Sequence, residues 1–466
     1  MSAPNVLLIV WDTCRRDALE PFGAPAGASP VAADLARRGA VAPDVHAASG
    51  WTMPSHTAFL AGVLPRAVGL TQAPGETVVS CHDAIAALED RLLASVLRRA
   101  GYVTKGSSAN IWISPEGGFD TGFDFFELVP HNRHGGLHLK GLRPRVEWML
   151  HAVRARGDDG AAQQRERVFG WIDELDERPF FGFVNLNECH SPYLPPLPFN
   201  SYGPLGRARA ADEARRYLHL TAIWRMCAGG ALPPDAALER MRRLYADSVR
   251  QMDAWLGDVL ETLDAAGRLE DTLVVLTSDH GENFGEGNYM AHAFSLDQRL
   301  THVPLIAAGP GAERLADLRT LTDLPRRLAE LAGVAGHPYS EYSTAVSQSD
   351  PPGRPDDPRL LGLTQEWPEV SREQIVTRLA TPLTAAVEGT CKLVLRGQTE
   401  EFHDLVHDPL ELSPVPADAL APDVRDRLRA AVAAAAGRAG EVAPAPAATA
   451  DDSADIEERM RLLGYL

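Results

Sequence analysis

The chain has 466 residues, 45% hydrophobic and 23% charged, enough to bury a large core in one main domain with a smaller companion. A formal net charge of −18 excludes a general affinity for nucleic acid or anionic membrane, so an anionic ligand would need a cation or local basic groups to reverse the field at its site. No apolar stretch approaches the length of a membrane span, and the opening run, short and without a basic leader, is expected not to be a signal peptide.

In chain order, residues 6–10, 180–184, 273–276 and 303–308 are continuous apolar runs followed by turn or polar residues. Unbroken rather than alternating apolarity suits strands covered on both faces, as in a parallel sheet. Residues 91–100 and 249–266 carry helical spacing between them, and the alternation predicts an α/β sandwich. The proline-rich stretch 351–355 reads as a linker closing a first domain of residues 1–350. Residues 384–387 and 391–395 then read as antiparallel strands of a small unit over 351–429. In the Ala/Pro-rich tail 430–466, the first part extends a helix, 443–450 forms a tether, and 456–466 is amphipathic and docks back. The five cysteines, Cys14, Cys81, Cys189, Cys227 and Cys391, are odd in number and lack ligand spacing, which suits reduced thiols in a cytoplasmic protein.

Two of the predicted strands end in aspartate, at Asp12 and at Asp279-His280. Ligands of open α/β sheets bind beyond the carboxyl ends of the strands, so the two segments could meet at one edge. Hard oxygens with one imidazole suit Mn²⁺, Zn²⁺, Mg²⁺ or Ca²⁺; the plainer alternative is that each aspartate caps a turn. A third segment, SGWTMPSHTAFLAG over 49–62, places Pro54 in the first turn of a helix ending near Gly62. Thr52 then sits at the helix start, as an anion-site residue or an ordinary N-cap.

Taken together and in order, these segments resemble the sulfatase family of the alkaline phosphatase superfamily. Residues 5–17 look like its opening strand and first metal aspartate, 51–62 like its nucleophile helix, and 187–196 like its histidine-bearing segment. Residues 278–281 look like its second metal cluster, and 292–311 like the segment ending in a VPLI strand; 404–411 and 462–465 match its C-terminal features. The resemblance implies a sandwich with a large mixed, mostly parallel central sheet between helices, plus a small C-terminal α+β subdomain. It also implies one divalent metal held by Asp12, Thr52, Asp279 and His280. Thr13 falls where many relatives have a second ligand aspartate, and His280 where many have asparagine. That set is more like the phosphonate monoester and phosphodiester hydrolase branch, which favours Mn²⁺ or Zn²⁺ over Ca²⁺ or Mg²⁺.

Where sulfatases carry C-x-P-x-R, with Cys or Ser oxidised to formylglycine, this chain reads TMPSH over 52–56. Threonine is no substrate for that oxidation, so no formylglycine is expected. A formylglycine hydrate can expel sulfate from its second hydroxyl, whereas a sulfated threonine has no such exit. A phosphorylated threonine can be attacked by water or an alcohol, with the metal stabilising the added charge. The expectation is therefore a phosphodiester, phosphonate or phosphate ester hydrolase working through phospho-Thr52.

Histidines are natural proton donors to a leaving oxygen. The resemblance points to His190 and His292, and helical spacing puts His56 one turn beyond Thr52. His302, Thr13 and Asn110 are candidate substrate contacts; His302 as a loop anchor and Asn110 as a loop-ordering residue are the alternatives. Glu282 and Glu286 read as loop residues. A transferase acting on an alcohol, a sulfatase using unmodified threonine, and a non-catalytic binding protein are the competing functions. The expected substrate is a small anionic ester, with no nucleic acid or membrane partner; a homo-oligomer stays open.

Overall fold

The computed structural model describes residues 3–71, 81–129, 142–292, 294–352, 356 and 358–442. The central sheet has strands β1 (Asn5–Trp11), β2 (Ala40–Val41), β3 (Val103–Ser108), β4 (Phe125–Leu128), β5 (Phe180–Leu186), β6 (Thr272–Thr277) and β7 (Leu305–Ala308). Their spatial order is β2-β7-β6-β1-β5-β3-β4. β6, β1, β5, β3 and β4 run parallel, while β7 is antiparallel to β6 and β2 to β7. β1 lies between β5 and β6, and all its residues are buried. Covering on both faces explains the unbroken apolar run NVLLIVW.

Helices flank the sheet. α1 (Pro30–Arg38), α4 (Ala161–Asp173) and α5 (Asp235–Ala265) pack in one group. α2 (Thr52–Ala61), α3 (Leu93–Arg99) and α6 (Leu324–Leu331) pack in another. This is the mixed, mostly parallel sandwich expected. The run 303–308 differs in detail: Pro304 interrupts it, and the strand beyond is antiparallel to β6. Burial on both faces produces the same apolar run whichever way a strand points, so the sequence pattern does not carry its direction.

A second sheet orders β8 (Ala345–Ser349), β9 (Leu383–Glu388), β10 (Cys391–Arg396) and β11 (Thr399–Asp404), all antiparallel. α7 (Pro422–Gly437) packs across it through Leu428 and Val432. The sheet begins at Ala345, so the division expected after residue 350 falls inside this unit. β8 is also sewn to the main body: Ser347 Oγ donates to Ala47 O at 2.6 Å and Gln348 N to Ala48 O at 2.7 Å. The expected tether 443–450 and docking segment 456–466 lie outside the described residues, as do three positions of the expected 351–355 linker. Among the described residues, no helix is long and apolar enough to cross a membrane, and no cysteine is joined in a disulfide.

Candidate active site

Adjacent parallel strands β1 and β6 deliver Asp12 and Asp279 side by side, because each strand runs out of its ladder at the same edge. Asp12, Asp279 and His280 are fully buried and offer ligand atoms within 4.8 Å of one another. The chain just after β1 is held in an unusual shape. Thr13 has φ 59°, a left-handed value that a β-branched residue adopts at a cost of about 1–3 kcal/mol. Two contacts hold it there: Thr13 N–H donates to Asp279 Oδ1 at 3.1 Å, and Tyr245 OH donates to Thr13 O at 2.8 Å. The backbone of Thr13 thus ties the two aspartate segments together, and its buried hydroxyl has no hydrogen-bond partner.

Thr52 is the first residue of α2, which ends at Gly62 with φ 64°. Its Oγ1 lies 3.3 Å from His280 Nε2 and 3.5 Å from Asn110 Nδ2. The unbonded first-turn amides of α2 give this end a positive potential. Ser55 Oγ, one turn on, donates to Asp279 O at 2.6 Å and anchors the helix to the β6 end.

The tautomer of His280 follows from its other nitrogen. Nδ1 donates to Gly281 O at 2.9 Å, so Nε2 presents a lone pair towards Thr52 and Asp279. Asn110 plays two parts. Its Oδ1 accepts from Trp112 N at 3.0 Å, ordering its loop, and its Nδ2 donates to Asp12 Oδ2 at 2.9 Å. Asn185 Nδ2 reaches the same oxygen at 3.3 Å.

Charge is unbalanced here. Burial, then the neighbouring Asp279, push the Asp12 carboxyl up to about 7. Burial would raise Asp279 too, but the imidazoles of His280 and His56 hold it below the usual carboxylate range. Asp12 Oδ1 and Asp279 Oδ2 are buried and accept no hydrogen bond. Two carboxylates with orphaned oxygens, an imidazole lone pair and a hydroxyl form a donor set that a divalent cation satisfies and that no described side chain does. These residues therefore fit the metal implied by the sequence.

His190, His292 and His280 line up beside this centre. The His190 and His292 rings meet edge-on at 5.1 Å, and the His280 and His292 rings are tilted at 43° with centroids 4.6 Å apart. Burial, then His190, push His292 down to about 3, so it is a neutral imidazole. Its Nδ1 donates to Glu282 Oε1 at 3.0 Å, while Glu282 Oε2 accepts from Tyr193 OH at 2.9 Å. Glu282, read from sequence as a loop residue, is fully buried and orients this histidine. The acidic residue two places after His280 was the available signal, but its partners are 10 and 89 residues away. Glu286 instead pairs with Arg15 at 2.9 Å.

Two expected residues are placed differently from the rest. His56 touches the centre only from behind: Nδ1 lies 3.0 Å from Thr52 O and 3.4 Å from Asp279 Oδ2, and the ring packs on Phe59 and Phe183. Its Nδ1 hydrogen bond goes to the Thr52 carbonyl, and its ring abuts Asp279. His302 is not brought to Thr52 at all. It stacks on His46 and reaches Pro43 O, because its short strand pairs with residues 45–46.

Residues 4–334 match the family described as Sulfatase. A choline-sulfatase of Rhizobium meliloti (strain 1021) is 25% identical over 454 residues, covering 88% of this chain and 82% of its own. The phosphonate monoester hydrolase of Agrobacterium radiobacter superposes with a TM-score of 0.63 at 20% identity, over 93% of this chain and 96% of that one. A 2-O GAG sulfatase superposes with a TM-score of 0.64 at 16% identity, over 94% and 93%. These likenesses establish the fold, and the family match spans most of the chain. The protein belongs to the sulfatase family, as a sulfatase-like hydrolase.

Proposed function

We propose that the protein hydrolyses a small anionic phosphodiester, phosphonate monoester or phosphate ester through a covalent phospho-threonine at Thr52. The observation that carries this reading is the Thr52 hydroxyl itself, at the start of α2 and 3.3 Å from the lone-pair face of His280. Its oxygen releases its proton to solvent and attacks phosphorus as the bond to the leaving oxygen breaks; water then attacks the phospho-threonine, and the freed Thr52 oxygen takes a proton back as its bond to phosphorus breaks. A divalent ion held by Asp12, Thr52, Asp279 and His280, Mn²⁺ or Zn²⁺ before Ca²⁺ or Mg²⁺, supplies Lewis-acid stabilisation of the added negative charge. Of the paired imidazoles, His190 serves the leaving oxygen. His292, its Nδ1 held by Glu282 and its basicity lowered by burial, keeps Nε2 to accept a hydrogen bond that orients the incoming water, while His190, having protonated the leaving oxygen, takes the water's proton. Two phosphonate monoester hydrolases of similar structure, from Agrobacterium radiobacter and Silicibacter pomeroyi, support this chemistry.

Sulfate ester hydrolysis by unmodified threonine is the second reading, favoured by the choline-sulfatase that aligns along 88% of the chain. A panel of aryl sulfate, phosphate, diester and phosphonate substrates separates the two, assayed with each metal. Intact-mass analysis of trapped enzyme should show one phosphoryl adduct, absent in Thr52→Ala, with turnover reduced at least about 10³-fold. Turnover surviving in the alanine variant would sink the phospho-threonine.

A further inference from the structure

A second cluster of metal-ligating side chains lies apart from the Thr52 centre, where residues 45–46 pair with residues 302–303 in antiparallel register. The pairing sets His46 directly opposite His302, and their rings stack with centroids 4.8 Å apart and planes 13° from parallel. Asp44 Oδ1 lies 3.2 Å from His46 Nε2 and 3.8 Å from His302 Nε2. Pro43 O is 3.1 Å from His302 Nε2. A tetrahedral Zn²⁺ bonded at about 2.0–2.2 Å has ligand atoms roughly 3.3–3.6 Å apart. The three measured edges bracket that spacing.

The surroundings hold the oxygens in place, and binding an ion turns the two imidazoles out of their near-parallel stack so that both Nε2 lone pairs converge. His46 is buried and its N–H donates to Arg319 O at 3.0 Å, while Asp44 and His302 are partly exposed and leave the cluster open to solvent. Arg319 Nη1 grips Asp44 Oδ2 at 2.9 Å and so aims Oδ1 inward. Arg16 Nη2 donates to Pro43 O at 3.0 Å. These two cations oppose any added ion, which disfavours Ca²⁺ and Mg²⁺ and leaves the preference to imidazole, which selects Zn²⁺-like ions. We propose that Asp44, His46 and His302, with the Pro43 carbonyl as fourth ligand, form a second divalent transition-metal site. It clamps the segment entering α2 to the strand before β7. The chain reaches Thr52 only six residues after His46, so the clamp stiffens the approach to the nucleophile helix without touching it.

The test is metal stoichiometry on the full chain. Protein stripped with chelator, loaded with Zn²⁺ and desalted should retain two ions by elemental analysis. His302→Gln and Asp44→Asn should each retain one and keep turnover within about twofold, with unchanged circular dichroism. Asp12→Asn should also retain one, and Co²⁺ loaded into it should give a visible tetrahedral absorption that His302→Gln in that background abolishes. The site is overturned if native protein binds a single ion that only Asp12→Asn removes. It is equally overturned if His302→Gln and Asp44→Asn still bind two. Because these readouts count ions, they stand whatever ester the Thr52 centre cleaves.

Discussion

Glu282 brings two acceptor oxygens to two donors, His292 Nδ1 and Tyr193 OH, in a place without water-exposed surface. Removing it leaves both donors unsatisfied and frees the imidazole to flip, whereas glutamine keeps one oxygen for His292 and lets Tyr193 reverse its bond. Glu282→Ala should lower kcat by about 10–100-fold with little change in KM, and Glu282→Gln by clearly less. Equal kcat in wild type and Glu282→Ala would remove it from the positioning of His292. This residue also marks how far the sequence could be read. Asp12, Thr52 and Asp279-His280 were legible because each sits where an apolar run or a helix start ends, in a familiar order. Glu282 was not, since its role depends on two partners distant along the chain. His302 was drawn towards the site by its place before the VPLI strand, yet cross-strand pairing aims its ring at His46. Helical spacing places His56 one turn beyond Thr52, but does not say that the ring turns behind Asp279 into aromatic packing.

Between β6 and the turn 297–301, the element that matters is a single glycine. Gly281 O accepts from His280 Nδ1, and its N–H donates to Leu300 O at 2.9 Å. A Cβ there would come within 1.9 Å of Arg299 O, a backbone atom that cannot swing away. Gly281→Ala must therefore displace either the 297–301 turn or the carbonyl that sets the His280 tautomer. The expected outcome is a stability loss of about 1–3 kcal/mol, as for overpacking elsewhere. Metal affinity should fall in parallel, by at least about tenfold, since the histidine loses its orienting partner. Denaturant melts and metal titration of the variant check both; full affinity would mean that the tautomer is set elsewhere. At this scale the sequence was most legible in β1, β5 and β6, whose apolar runs have one structural meaning. It was least legible in β7, where burial on both faces hides strand direction, and in β8, whose polar AVSQS gives no strand pattern although all five residues are buried.

Across the whole molecule, the second sheet reaches the turn 297–301 through a buried ion pair. Lys392 on β10 has no exposed side-chain surface; Nζ donates to Leu296 O at 2.5 Å and to both Glu411 oxygens at 2.9 Å. Glu411 Oε1 also accepts Gln298 N–H at 2.9 Å, and Arg299 Nη1 donates to Leu410 O at 2.5 Å. The turn held this way is the one whose Arg299 and Leu300 carbonyls pack against Gly281. The C-terminal unit is thus a brace for the carboxyl end of β6, and its edge strand is sewn to residues 47–48. A buried pair contributes little net stability compared with apolar replacements, but breaking it leaves an uncompensated charge. Lys392→Met should therefore cost about 3–5 kcal/mol in denaturant unfolding and reduce turnover as the turn loosens. In the double variant Lys392→Met/Glu411→Gln the stranded carboxylate is gone while the acceptor for Gln298 N–H remains, so most of both losses should return. If the double variant is as unstable as the single one, the stabilisation comes from the Lys392–Leu296 bond alone, and the brace does not depend on charge pairing.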